Sequence, residues 1–173
     1  MNPVKNKNLS NSADSPRVKR ISNGMKTYSL KPKEVSRKWY VLDASEAPLG
    51  RLSTQAASLL LGKGKPTVSV HIDGGDFVIV INAAKLVVTG NKVEDKDYFR
   101  HSGYPGGLYK RTLGEQMQID PVKVVHHSVR GMLPDNKLRD QRLKRLKIYA
   151  GTEHNHSAQT PENISLNRKG KKK

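Results

Sequence analysis

Apolar residues fall into two spacings along the chain, short continuous runs and a helical stripe, and their alternation predicts a sheet flanked by helices. Trp39-Tyr40-Val41-Leu42-Asp43 is an aromatic and aliphatic run of strand length that leads through Pro48 into a helical repeat. Leu49, Leu52, Ala56, Leu59 and Leu60 then form one stripe of a helix over about residues 49–62, stopped by Gly62 and Gly64. Phe77-Val78-Ile79-Val80-Ile81 follows Gly74-Gly75 and is apolar without alternation, as in a strand covered on both faces, so it is the expected central strand. Leu86-Val87-Val88-Thr89 predicts a further strand, closed by the turn signal Gly90-Asn91. Two more helices are expected, one starting at Pro121, whose fixed φ suits a first turn, and one over about residues 135–146.

That last helix has a narrow apolar stripe, Leu138, Leu143 and Leu146, and cations on nearly every other side: Lys137, Arg139, Arg142, Lys144, Arg145 and Lys147, against chiefly Asp140. Such a helix repels itself unless anions surround it, which favours RNA contact over a merely solvated face. Between Tyr98 and Arg111 the chain reads as an irregular linker of aromatic, glycine and basic residues. Rings and guanidinium planes of this kind stack on unpaired bases, but tyrosines packed on a surface loop give the same composition, and the two readings stand level.

Charge shifts the balance. The chain carries 32 Lys and Arg against 15 Asp and Glu, a formal net charge of +17 on 173 residues, which calls for a polyanionic partner. Residues 1–24 and 162–173 each contribute +4, leaving 22 basic and 13 acidic residues, +9, in the segment 25–161 expected to fold as one domain. The polar segment 1–24, without an apolar run, reads as a disordered basic extension, and 162–173 as a basic tail that either orders on RNA or stays solvated. Nothing in 1–24 resembles the apolar core of a secretory signal, while its serines, arginines and single acid leave an organellar transit peptide as an alternative. The longest leucine run, Leu59-Leu60-Leu61, ends at Gly62, so no membrane partner is expected. The absence of cysteine excludes disulfides and thiolate metal sites.

Candidate catalytic and metal sets fail on spacing. His126 and His127 are adjacent, about 100° apart on a helix, and His154 and His156 bracket Asn155 without a third ligand of a usual zinc set. Asp73 and Asp76 are expected as turn residues rather than Mg²⁺ ligands. Gly62-Lys63-Gly64-Lys65 lacks the spacing and terminal hydroxyl of a phosphate-binding P-loop, and Pro66 blocks the helix that would follow. No cofactor, metal or small-molecule substrate is therefore expected. A free-standing RNA-binding regulator and a histidine-dependent RNA-processing enzyme are the competing function classes.

Several stretches carry a family resemblance. Val129-Arg130-Gly131-Met132-Leu133-Pro134, followed by Leu146-Lys147-Ile148-Tyr149-Ala150-Gly151, resembles the signature of the large-subunit ribosomal protein L-thirteen family in its bacterial form. Supporting matches are Trp39-Tyr40-Val41, Leu49-Gly50-Arg51-Leu52, the run from Asp76 to Ala83, Val88-Thr89-Gly90-Asn91-Lys92 and Glu153-His154-Asn155-His156. The likeness runs from about Met25 to Leu166, with Met25 at the family's usual start. At Arg139 this chain departs from the family's usual glycine.

The resemblance implies a three-layer α/β/α domain around a small, mainly parallel sheet. It implies a non-enzymatic cytoplasmic protein that binds large-subunit ribosomal RNA early in assembly and lies beside other large-subunit proteins. An organellar ribosome is the alternative location. Charge, aromatic content and resemblance together nominate for RNA contact Arg51, Lys63, Lys65, Lys92, Arg100, His101, Tyr104, Lys110, Arg111, Arg130, Lys137, Arg139, Arg142, Lys144, Arg145, Lys147, His154 and His156. Gly131, Met132, Leu133, Pro134, Tyr149 and Gly151 are nominated as shape-determining, with Gly131 expected at a helix end needing φ > 0 and Pro134 stopping the helix.

Overall fold

The structure, a computed structural model, describes residues 29–166. The expected disordered extension 1–24 and the last part of the basic tail lie outside the described residues. Among the described residues, six strands and five α-helices follow in the order β1 (Trp39–Asp43), α1 (Leu49–Leu61), β2 (Phe77–Ile81), α2 (Lys92–Asp95), β3 (Asp97–His101), β4 (Leu108–Thr112), α3 (Leu113–Ile119), α4 (Pro121–Met132), α5 (Arg139–Lys144), β5 (Leu146–Ile148) and β6 (Glu162–Asn163). A four-stranded sheet of order β5-β2-β1-β6 is parallel at every pairing, and β3 and β4 form a separate antiparallel hairpin. The chain is thus mixed α/β around a mainly parallel sheet.

The apolar run in β2 matches its position. It lies between β1 and β5, and Val78, Ile79 and Val80 are completely buried, which is why the sequence shows no polar alternation there. Parallel register pairs Tyr40 with Val78 and Leu42 with Val80, and Val78 with Leu146, so these residues share one sheet face. Against it pack Leu49, Leu52, Ala56 and Leu60 of α1 and Val124, Val125 and Val129 of α4 in one apolar cluster. Truncating a fully buried leucine such as Leu42, Leu52 or Leu60 to alanine costs about 2–5 kcal/mol. The helices α1 and α4 also meet through small residues, with the Ser53 hydroxyl donating to Ser128 Oγ at 2.8 Å, which satisfies a completely buried polar group.

Helix ends follow their local chemistry. Gly62 closes α1 at φ 73°, with its N–H donating to Leu59 O. Thr112 and Glu115 form a reciprocal capping box on α3, and Asp120 caps α4, whose first residue is Pro121 as the sequence predicts. The helix α3 is absent from the sequence-based expectations, because its seven residues are too few to show a clear apolar period.

Three expected elements differ. Leu86–Thr89 is not a strand: β2 ends at Ile81, Asn82 after it takes the left-handed region at φ 58°, a 3₁₀ turn follows over Ala83–Lys85, and only Val87 makes an isolated bridge, to Pro48. Leu86 is apolar because it is buried at the core edge. The stretch expected to be irregular from Tyr98 to Arg111 is instead an ordered hairpin, Tyr98 opposite Arg111 and Arg100 opposite Tyr109. The basic helix expected over 135–146 is one short helix, Arg139–Lys144. Asn136 sets a turn before it, its side-chain oxygen accepting from Leu138 N–H at 3.1 Å, and Leu146 is drawn into pairing beside Val78. At the C-terminal side, Glu162 and Asn163 pair with β1, and Ile164 and Leu166 pack on the core.

Candidate nucleic-acid interface

The hairpin of β3 and β4 is the most exposed aromatic surface among the described residues. Phe99, Tyr104 and Tyr109 are 63%, 76% and 62% exposed. Strand alternation places Tyr98, Arg100, Tyr109 and Arg111 on one face, because opposed residues in the register share a side. These four, with Phe99, Gln116, Ile119 and Lys123, line a groove of about 430 Å³ between the hairpin and the α3–α4 junction. Aromatic and guanidinium surfaces therefore alternate over a concave site, an arrangement suited to stacking bases and meeting phosphates together. The base of the hairpin is anchored: Tyr98 makes an edge contact with His127 at 5.4 Å, and its hydroxyl is buried without a partner, with burial raising its pKa.

The hairpin tip is shaped by backbone. Ser102 N–H donates to Gly107 O at 2.9 Å, and Gly103 and Gly106 take φ of 92° and 75°, conformations that side chains resist. His101 is engaged locally, its Nδ1 accepting from Gly103 N–H at 2.9 Å. Lys110 pairs with Asp97 at 2.8 Å but stays exposed. Arg100, Arg111 and Tyr104 complete the nominated residues that the hairpin gathers.

A second basic concavity of about 460 Å³ lies between α4 and α5, lined by His126, His127, Arg130, Asp140, Leu143 and Lys144. Although His126 is exposed overall, burial of its ring, and then the charges of Arg130 and His127, hold its pKa below the ordinary value. Lys137 is exposed just before α5, while Arg139 pairs with Asp135 at 3.0 Å. Arg51, on α1, and Lys92, which opens α2, are exposed elsewhere on the surface, and Lys63 follows α1.

Other nominated residues serve the interior instead. Arg145 is 6% exposed and grips Asp73 through both terminal nitrogens, Nη2 reaching Oδ1 at 2.6 Å; it also donates to Leu60 O at 3.1 Å and Asp76 O at 3.3 Å. Arg142 is 4% exposed beside the same carboxylate, its Nε 3.5 Å from Oδ1. Burial pushes the Asp73 pKa up, but the hydrogen bonds and charge of Arg145, with Arg142 and Arg37, outweigh it and lower the pKa. Lys65 holds Asp76 at 2.6 Å and donates to the carbonyls of Ser36 and Gly74. Asp73 and Asp76, expected as simple turn residues, are the acceptors of this buried network. Lys147 is half-buried in β5 opposite Ile79. His156 meets Tyr149 Oη at 3.1 Å and lies against Trp39, which stacks on Phe77 at 4.2 Å, while His154 Nδ1 accepts from His156 N–H.

The signature residues have visible structural duties. Tyr149, Ala150 and Gly151 present their carbonyls to the N–H groups of Ala83, Ala84 and Asn82 at 3.1, 3.2 and 2.8 Å, clamping the turn after β2. Leu133 is buried, whereas Met132 is 41% exposed and accepts from the Thr54 hydroxyl through its sulfur. Gly131 differs from expectation: it lies inside α4 without positive φ, and a Cβ added there meets nothing within 4 Å.

A profile of the family described as "Ribosomal protein L13" matches residues 37–155, spanning both signature pieces, strands β1, β2 and β5 of the parallel sheet, the hairpin and the clamp. The chain belongs to the ribosomal protein L13 family. Members of this family are structural ribosomal proteins, not enzymes. Among its relatives, the large ribosomal subunit protein uL13 of Thermoanaerobacter sp. (strain X514) is 54% identical over 142 residues, covering 82% of this chain and 99% of the relative. The protein of the same name from Mycobacteroides abscessus is 55% identical over 137 residues, 79% of this chain and 93% of the relative. That of Listeria monocytogenes serotype 4b (strain F2365) is 56% identical over 140 residues, 81% and 97%.

Proposed function

We propose that this L13-family chain is a structural constituent of the large ribosomal subunit, in the cytoplasm, that binds large-subunit ribosomal RNA, stabilises its fold and assists early assembly. The observation that carries the reading is the pairing of a family match over most of the fold with an exposed hairpin presenting Phe99, Arg100, Tyr104, Tyr109 and Arg111. The hairpin would supply stacking, and exposed Lys and Arg on α1, α2, α4 and α5 would supply counterion release. Within the nominated set, Arg51, Lys63, Lys92, Arg100, Tyr104, Lys110, Arg111, Arg130, Lys137 and Lys144 present exposed surface for this role. Arg142 and Arg145 are left out, because their guanidinium groups are buried around Asp73. Neighbouring large-subunit proteins complete the partners.

The test is quantitative mass spectrometry of large subunits washed at high salt. One copy of the chain per subunit is expected. Recovery of the chain only in ribosome-free fractions bound to RNA would point to a free-standing regulator and overturn the reading.

A further inference from the structure

Arg142 and Arg145 are both buried, yet one carboxylate serves them. Arg145 occupies both oxygens of Asp73, and Arg142 is left with Nε and Nη1 buried and, among the described residues, no hydrogen-bond acceptor for them. Burying two guanidinium nitrogens without a hydrogen-bond acceptor is costly, since burial removes hydration that only a charge at 3.5 Å offsets. Its position gives it a route to a partner. Arg142 lies in the lining of an open groove of about 470 Å³, whose walls include Val68, Val70, Met132 and Pro134, with Lys63 as the other cation.

The walls are as informative as the charge. Val70 is 90% exposed, Val68 51% and Met132 41%, an apolar cluster that water covers poorly. Among the described residues its lining contains no aromatic ring, and its guanidinium is buried rather than presented as an open plane, so that lining lacks the platforms on which bases stack. Those platforms are on the β3–β4 hairpin instead. An aliphatic wall with a buried cation fits a polypeptide that brings an apolar side chain and a carboxylate together.

Resting on the ribosomal reading above, we infer that this groove docks a short segment of a neighbouring large-subunit protein. An aliphatic side chain would sit against Val68, Val70 and Pro134, and a carboxylate, from Asp, Glu or a chain terminus, would reach the Arg142 guanidinium. The carboxylate gives Arg142 the hydrogen-bond acceptor that Asp73, already held by Arg145, does not provide, while the aliphatic contact covers the exposed valines.

The test places photoreactive p-benzoylphenylalanine at Val70 in the full chain, irradiates purified large subunits and maps the products. A cross-link to one ribosomal protein is expected, with an acidic side chain or C-terminus within about three residues, the reach of roughly 10 Å of extended chain. Arg142→Met should lower the yield at least about tenfold, as expected for losing a charged hydrogen bond. Arg142→Lys should retain more of it, and both variants should still enter subunits. Cross-links to RNA alone, no cross-link, a peptide without a nearby carboxylate, or a yield indifferent to Arg142→Met would each overturn the inference. Absence of the chain itself from subunits would instead sink the ribosomal reading, and the inference with it.

Discussion

Arg145 holds the Asp73 carboxylate with both terminal guanidinium nitrogens, and the same side chain reaches the Leu60 and Asp76 carbonyls. One residue just before β5 therefore ties together the end of α1 and the segment that enters β2. The densest basic stretch in the sequence is thus partly internal, used to assemble the parallel sheet.

Removing one member of this pair should be far more damaging than a surface charge change. Asp73→Asn leaves two buried guanidinium groups without a charged partner and should cost about 3 kcal/mol or more. Its pH dependence has a definite sign. Because the folded Asp73 pKa is lowered, its stabilisation is present above the unfolded carboxylate pKa of about 3.9 and is lost as pH falls through the folded value. Urea denaturation at a series of pH values should show the wild type losing stability steeply in acid and Asp73→Asn losing less. Parallel acid profiles would refute the assignment.

Two glycines should respond oppositely to alanine. At Gly75 an added Cβ would overlap the Leu60 carbonyl oxygen, part of the backbone that Arg145 binds, so Gly75→Ala should destabilise strongly or prevent folding. At Gly131 the Cβ enters open space within α4, and the helical preference of alanine should add up to about 1 kcal/mol. Thermal melting of the two variants checks both. Destabilisation by Gly131→Ala would show that the glycine is needed for something other than backbone space.

What can be read from the sequence depends on period and length. The apolar run of β2 and the stripe of α1 are legible because burial on two faces and on one face leave different spacings. The hairpin is not, because its strands keep aromatic and charged residues on both faces and bury little. Its candidate residues are nevertheless in view as an aromatic and cationic cluster. Arg142 and Arg145 look like surface cations because charge pattern alone does not report a partner 69 or more positions away, and the Asp73 carboxylate that claims them is such a partner. Family likeness locates the signature, but the reason for it, Tyr149 to Gly151 clamping the Asn82 turn, is visible only in three dimensions.

If the hairpin groove stacks unpaired bases, its aromatic and cationic residues should separate in a salt titration. Phe99→Ala and Tyr109→Ala should weaken binding of a large-subunit RNA fragment by about 1–3 kcal/mol each with little change in salt slope. Arg100→Ala and Arg111→Ala should each flatten the slope of log K against log salt by about 0.7 to 0.9 for every phosphate that is no longer neutralised. Filter binding over a range of KCl concentrations measures both. Equal slopes in all four variants would contradict the division of labour.

The cleft between α4 and α5 offers a titration as its probe. In the free protein burial, Arg130 and His127 keep His126 below its ordinary pKa, so the ring is neutral near pH 7. A phosphate seated among His126, Arg130 and Lys144 would favour the protonated ring and raise that pKa in the complex. Affinity for the RNA fragment should then rise as pH is lowered through the bound pKa and level off below the free one. His126→Gln should remove that part of the pH dependence while leaving affinity at about pH 8 nearly unchanged, because the wild-type ring is neutral there in the free protein. NMR titration of the His126 ring with and without RNA measures the shift directly. An unchanged His126 pKa in a saturated complex would place the phosphates elsewhere and leave binding to the hairpin and the remaining exposed cations.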